Sequence, residues 1–449
     1  MSGQVWIRCC LAVGAVALSA ASSCGEANTP RDGTQQTAEA GAAPSPDAAG
    51  STGDGGARQQ PVEEGGLAGV ATFGAAGARP GLAGDGGAGG APTLQGGAAG
   101  NPGGQGAAPG QSGAGGEPGP SGCGSPVANV SKPLFLQLGS LGPLDLNNYT
   151  SAVSDDGTTV VGASNVDADT AHAFSWTPTG GMTDLTVATN GGLTEEASLV
   201  SCDGSVIVGV TKAGRGRYNK ATGVVELPGC GSKLPVFGIF EMNAAGDVLV
   251  GVCQDGIIAD NTHVRRWLGT DPPTTIADLV GWGMDVSADG SIFGGVSIEA
   301  GVYSVFRWTA QGGVQTIAKT NGGANTSMSA DGSTIVGQDE SGKSFRWRNG
   351  VITPLPCAAD APYCLGGAMS GDGRVITFSA GDGTMVWVGD AEPYSLRDKL
   401  QALGVDLSPW AYINVRDMTA DARVLVGSVN NAFGVDRRSY YLEMPVDSW

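Results

Sequence analysis

The chain has 449 residues, 77 of them Gly, and carries a formal charge of −19. So acidic a balance excludes a protein that works by neutralising phosphate, since nucleic-acid binding relies on clustered Lys and Arg. Its glycine is unevenly spread, so the chain divides into three segments with different properties.

Residues 1–23 place a single basic residue, Arg8, before the apolar run 11–21. That run is too short for a settled membrane span and suits a signal peptide. It ends in Ala21-Ser22-Ser23-Cys24, and small residues before a Cys resemble a bacterial lipoprotein cleavage site. The resemblance implies a lipid on Cys24, which becomes the mature N-terminus; an ordinary secretory cut near Ala21 is the alternative. Gly25 stands where Asp would mark inner-membrane retention, so the resemblance implies an outer-membrane anchor, with lipid as the only membrane contact. Residues 24–132 are rich in Gly, Ala and Pro, with Phe73 almost their only aromatic residue. Such a segment cannot bury enough apolar surface to offset its ordering entropy. It is expected to be a disordered stalk with a reach on the order of 50–60 Å. Gly84, Gly86 and Gly89 fit G-x-G-x-x-G without the strand and helix that give the pattern meaning.

Residues 133–449 hold eight of the nine Trp and no second linker. Here an Asp-Gly turn followed by a Val-rich strand ending in Gly recurs seven times. The first copy reads Ser154-Asp155-Asp156-Gly157, then Val160-Val161-Gly162. Turns follow at Asp203-Gly204, Gly246-Asp247, Asp289-Gly290, Asp331-Gly332, Asp372-Gly373 and Asp421-Ala422; counted at the Gly or Ala of each pair, the spacings are 47, 42, 44, 42, 41 and 49 residues. Asp-Gly readily takes positive φ at both central positions of a two-residue hairpin, which is the turn expected here. A regular Gly inside the second strand points to close approach by a neighbour. The third strand carries Phe174-Ser175-Trp176, Phe306-Arg307-Trp308 or Phe345-Arg346-Trp347, with both aromatics on one face. A fourth strand follows, as in 182–185 or 351–355.

Four strands per period of about 44 residues describe a propeller blade. The domain is therefore expected to be an all-β, seven-bladed propeller of four-stranded blades. Copy seven lacks a fourth strand, and Leu134-Phe135-Leu136-Gln137-Leu138-Gly139 has no partner in copy one, so this N-terminal strand is expected to close the ring.

The phrase Ser154-x-Asp156-Gly157, Val160-Val161-Gly162, His172-Ala173-Phe174-x-Trp176, Gly180-Gly181-Met182-x-Asp184-Leu185 resembles the extracellular HAF-repeat family. The likeness spans about residues 134–444 and is strongest in copy one. It implies a secreted or surface protein and no defined activity. His172 and His263 each stand four residues before a Trp, which makes them repeat positions rather than metal ligands.

Gly337-Gln338-Asp339-Glu340-Ser341-Gly342-Lys343-Ser344 fits a phosphate-loop pattern, but a strand-like Phe345-Arg346-Trp347 follows where a helix is required. No nucleotide is expected. Local signatures of enzymes are absent: no G-x-S-x-G, no H-E-x-x-H and no C-x-x-C. The oxygen-rich loops, with Asp167 and Asp169, Asp255 and Asp260, and Asn430, Asn431 and Asp436, are the candidate binding positions. They suit Ca²⁺, although none matches a twelve-residue helix-loop-helix site, and a plain solvated loop is the other reading. Six cysteines remain beyond Cys24, an even number that suits disulfides in an exported chain. Cys357 with Cys364 and Cys230 with Cys253 are the pairs that loop positions favour, leaving Cys123 with Cys202.

The expected function is a surface-displayed module that binds a protein or glycan. A polysaccharide hydrolase or lyase with a loop-built site is the alternative, and a structural envelope protein a further one. Deleting residues 133–141 is expected to abolish cooperative thermal unfolding. A truncated chain that melts like the full one would refute closure by that strand.

Overall fold

The computed structural model describes residues 127, 129–142, 148–230, 237–254, 262–322, 326–357, 363–380, 383–431 and 437–449. The signal segment, Cys24, the stalk up to residue 126 with Cys123, and the loop positions Asp255, Asp260 and Asp436 lie outside the described residues. What is described is all-β and propeller-like, built from antiparallel sheets with two short helices, Leu185–Ala188 and Leu396–Ala402.

Copy one folds as Asn148–Val153, Val160–Asn165, Ala171–Thr177 and Gly181–Asp184, each strand pairing with the next. Copies two, five and six form sheets of the same order. Copies three and four share one long strand, Thr274–Val286. Its first part pairs with Thr262–Leu268, and from Gly281 onward it pairs with Ile292–Glu299. The fourth strand of one unit thus runs directly into the first strand of the next. Positive φ at Ala277 and Asp278 marks the irregularity between the two parts. Copy seven supplies Tyr412–Met418, Val424–Asn430 and Arg437–Glu443; Leu134–Gln137 is the fourth strand of that sheet, in register from Leu134 opposite Glu443 to Gln137 opposite Tyr440.

The core lies between sheets. Phe174 and Trp176 pack with Val153, Val160, Val424, Val426 and Tyr441 in one layer between copies one and seven. On the opposite face of the copy-one sheet, Ala152, Val161 and Ala173 pack with Ala197 and Ile207 of copy two. The period of two along each strand therefore supplies two apolar layers, which explains why the Val-rich strands read as continuous apolar runs.

The turns differ from the two-residue hairpin expected. Only the Gly of each pair takes positive φ, from +65° at Gly332 to +75° at Gly290, with Ala422 at +57° in copy seven. The reason is a side-chain network that favours a longer loop. In copy one, the Ser154 hydroxyl donates to Asp156 Oδ1 at 2.5 Å and accepts from the Thr159 N–H at 3.0 Å, while Asp156 Oδ1 accepts the Thr158 N–H at 2.9 Å. Ser201, Ser287, Ser329, Ser370 and Thr419 do the same with Asp203, Asp289, Asp331, Asp372 and Asp421. In copy three Asn243 replaces the serine, and its amide binds Asp247 from both ends. These are local side-chain-to-backbone bonds that compete with a tight hairpin.

The regular Gly of the second strand has an equally specific cause. In six copies the first strand bulges near its end, with register shifts at 150/152, 197/199, 239/241, 283/285, 366/369 and 415/417. The bulge brings a first-strand carbonyl to where a Cβ would stand: Tyr149 against Gly162, Glu196 against Gly209, Gly238 against Gly251, Trp282 against Gly295 and Asn414 against Gly427. Copy six reverses the arrangement: Phe378 occupies the second strand, and Gly366 stands opposite it on the first. Gly427→Ala is accordingly expected to destabilise the domain by roughly 2–4 kcal/mol, since the clashing partner is backbone. Gly229→Ala, with no heavy atom near its Cβ position, should be nearly neutral. Chemical denaturation of the two variants checks the contrast.

Candidate functional site

The first strands of all seven copies line one cavity of about 740 Å³. This is within the size range of ligand pockets, about 300–1,000 Å³. At one end lie the residues that follow each turn Ser, Thr or Asn: Asp155, Cys202, Ala244, Ala288, Ala330, Gly371 and Ala420. Their backbones bond from copy to copy. Cys202 donates to Ala244, Ala244 to Ala288, Ala288 to Ala330, Ala330 to Gly371 and Gly371 to Ala420, at 2.8 to 3.2 Å. Copy one departs from the pattern at both of its links. The donor to Cys202 is the Asp156 N–H, at 3.0 Å. The acceptor for the Ala420 N–H is not a carbonyl but the Asp155 carboxylate, at 2.8 Å. Burial raises the Asp155 pKa, against the lowering effect of that bond.

Higher in the cavity, the residues three before each turn Ser, Thr or Asn form a second tier: Ser151, Ser198, Phe240, Met284, Thr326, Gly367 and Arg416. Polar pairs brace it. Ser151 donates to Glu196 at 3.0 Å, and Arg215 donates to Ser198 at 3.0 Å.

Between the tiers, three copies carry an acid where the others have Ala, Leu or Ser: Glu241, Asp285 and Asp417. Asp417 accepts the N–H of Val153 in the next copy at 2.9 Å and that of Met418 at 2.8 Å. Asp285 accepts the hydroxyl of Thr326, also in the next copy, at 2.8 Å. Glu241 accepts the neighbouring Met242 N–H at 2.9 Å. Burial pushes Glu241 up to about 8, Asp285 to about 7 and Asp417 to about 6. Three turn acids, Asp203, Asp289 and Asp331, behave in the opposite way. At Asp289 and Asp331 burial is outweighed by the hydrogen bonds from Ser287 and Ser329 and the following N–H groups, and their pKa values fall.

The loop acids singled out from sequence are not part of this cavity where they are described. Asp167 uses one oxygen to accept the N–H groups of Asp169 and Thr170, at 2.9 and 2.8 Å, which braces its own turn. Among the described residues no group of three or more His, Cys, Asp or Glu could hold a metal ion. His172 Nδ1 meets Asp184 at 2.8 Å, tying the third strand of copy one to the fourth. The segment 337–344 is a strand, a turn and the start of another strand; Asp339 accepts the Ser341 and Lys343 N–H groups there, and no helix follows.

Cys230 is bonded to Cys253 and Cys357 to Cys364, with Cα separations of 5.6 and 6.1 Å. Such bonds suit an oxidising compartment. Cys202 is also disulfide-bonded.

The cavity acids, Arg416 and Phe240 were not anticipated from sequence. A signal existed: an acid two residues before the turn in copies three, four and seven, in a strand register otherwise filled by apolar or small residues.

No family model and no curated protein matches the chain. Among solved structures it is similar to an oligogalacturonate lyase in complex with manganese, at 13% identity and a TM-score of 0.44, over 72% of this chain and 100% of that one. It is also similar to an oligogalacturonate lyase from Vibrio parahaemolyticus, at 12% identity and a TM-score of 0.45, over 71% of this chain and 98% of that one. No residue role is carried over from either.

The pKa directions fix a pH dependence. Glu241, Asp285 and Asp417 titrate near 4 when unfolded and between about 6 and 8 when folded. As pH rises through that interval the unfolded chain loses these protons first, so stability falls. Melting temperature is expected to drop by about 5 °C or more between pH 5 and pH 8. Glu241→Gln should flatten that slope, and an unchanged profile in this variant would refute the assignment.

Proposed function

We propose that the domain is a seven-bladed propeller closed by Leu134–Gln137, and that it serves as a surface-displayed binding module whose ligand enters the central cavity from the end opposite the Asp-Gly turns. One observation carries this reading: the copy-to-copy bonds among the turns. Residues linked in this way lie roughly 5 Å apart, so a ring of seven is about 11 Å across between backbone centres. Backbone and Cβ thickness reduce the bore to a few ångström, too narrow for a saccharide or peptide. The other end is rimmed by the second tier and its mixed polar and apolar groups. Anchoring through Cys24 and export to the outer membrane complete the reading, in keeping with disulfides that need an oxidising compartment.

A second reading, a polysaccharide hydrolase or lyase, draws support from Glu241, whose pKa of about 8 suits a general acid. Against it, Asp417 and Asp285 are engaged in joining neighbouring strands.

Incubating the mature protein with surface glycans and envelope extracts separates the readings. Binding without product is expected. Product that disappears in Glu241→Gln would favour the enzyme, and neither binding nor product would overturn both.

A further inference from the structure

The second tier of the cavity is chemically lopsided. Its apolar members, Phe240 and Met284, come from copies three and four, and its only cation, Arg416, from copy seven. In the ring proposed above, copy seven stands across from copies three and four. Each is placed at the end of an inner strand by a bulge, a device that re-aims a side chain toward a site.

The two sides are built differently. The far end of the Phe240 ring lies over Gly238, where a Cβ would come within 3.1 Å of Cζ. Glycine there lets the ring lie along its own strand beside the cavity. Arg416 is exposed, as is Asn414 two residues earlier on the same strand. The other cavity arginine, Arg215, is held by Ser198.

The carboxyls nearby are each engaged by donors of the protein, although Glu241 and Asp417 also feel the charge of Arg416. Asp417 is taken up by two backbone N–H groups, Asp285 by Thr326, Glu241 by Met242 and Glu196 by Ser151. Burial also holds Glu241 and Asp285 partly protonated near neutral pH. Among the charged side chains that line the cavity, Arg416 is the exposed one, and its planar guanidinium fork matches a carboxylate.

Resting on the binding reading above, we infer that the cavity takes the end of an acidic saccharide, with Arg416 pairing to its carboxylate and Phe240 and Met284 covering the C–H face of a sugar ring. The Ser151–Glu196 and Ser198–Arg215 pairs offer donors and acceptors together, as sugar hydroxyls require.

Calorimetric titration of the full mature chain tests this with three probes: a glucuronate trisaccharide, its methyl-esterified counterpart and a short acidic peptide. The free acid is expected to bind about tenfold or more tighter than the ester, with a preference that weakens in salt. Arg416→Gln should remove the preference and leave ester binding unchanged. Arg416→Lys should retain part of it, and Phe240→Ala should weaken acid and ester alike. Thermal melting of each variant confirms folding. Equal affinity for acid and ester, no effect of Arg416→Gln, or tighter binding of the peptide would overturn the inference. If neither saccharide binds while an envelope protein does, the inference falls and the binding reading stands. If nothing binds, both fall.

Discussion

Hydrogen bonds between successive turns hold this architecture in register. A four-stranded sheet packed only through its faces could slide or tilt against its neighbour, because apolar burial is non-directional. A backbone bond from each turn to the next adds direction, and it acts at one end of the cavity that the first strands line. The turn itself must then be rigid. The Ser or Thr hydroxyl and the Asp carboxylate supply that rigidity by binding each other and the N–H groups on the far side of the loop. The Asp of the repeated phrase is thus committed to geometry, which fits its lowered pKa where a shift is resolved.

The bulge is the second constraint, and it links sequence to cavity. In copies one, two, three, four and seven it adds a residue to the first strand, brings a carbonyl against a glycine on the second, and places the extra residue on the cavity wall. In copy six the small residues sit on the first strand and Phe378 on the second. There Gly366 is kept small by Val336 of copy five, whose Cγ1 stands where a Cβ would be.

The blade pattern was legible because its determinants are local: a turn phrase, a period of two and an aromatic pair at fixed spacing. The pairing of Leu134–Gln137 with copy seven was legible by counting strands, although it joins the two ends of the domain. The turn type was misread because Asp-Gly alone suggests a two-residue hairpin, whereas the serine two residues earlier favours a longer loop. The short helices escaped notice because each rests on a single cap, Asp184 or Ser395, inside a strand-rich context. The cavity was illegible as a site because its residues are about 44 positions apart and join only when the copies converge. Asp167 drew attention by clustering in sequence, yet its carboxylate braces its own loop.

Two populations of carboxyl groups follow from these constraints, and they bear on function differently. Turn acids receive several donors, so their charge is stabilised and their role is complete. Cavity acids receive fewer donors in a more enclosed setting, so their charge is disfavoured. A strand that carried Ala or Leu there, as copies one and two do, would avoid that penalty. Asp417 and Asp285 recover part of it by joining the next copy, but Glu241 binds only the adjacent Met242 N–H in the bonds described. Repeat architecture tolerates such exceptions because each unit is stabilised mainly by its own strands and nearest neighbours. Departures from the repeat at the cavity wall therefore change its chemistry without disturbing the sheets, and copies three, four and seven hold the largest of them.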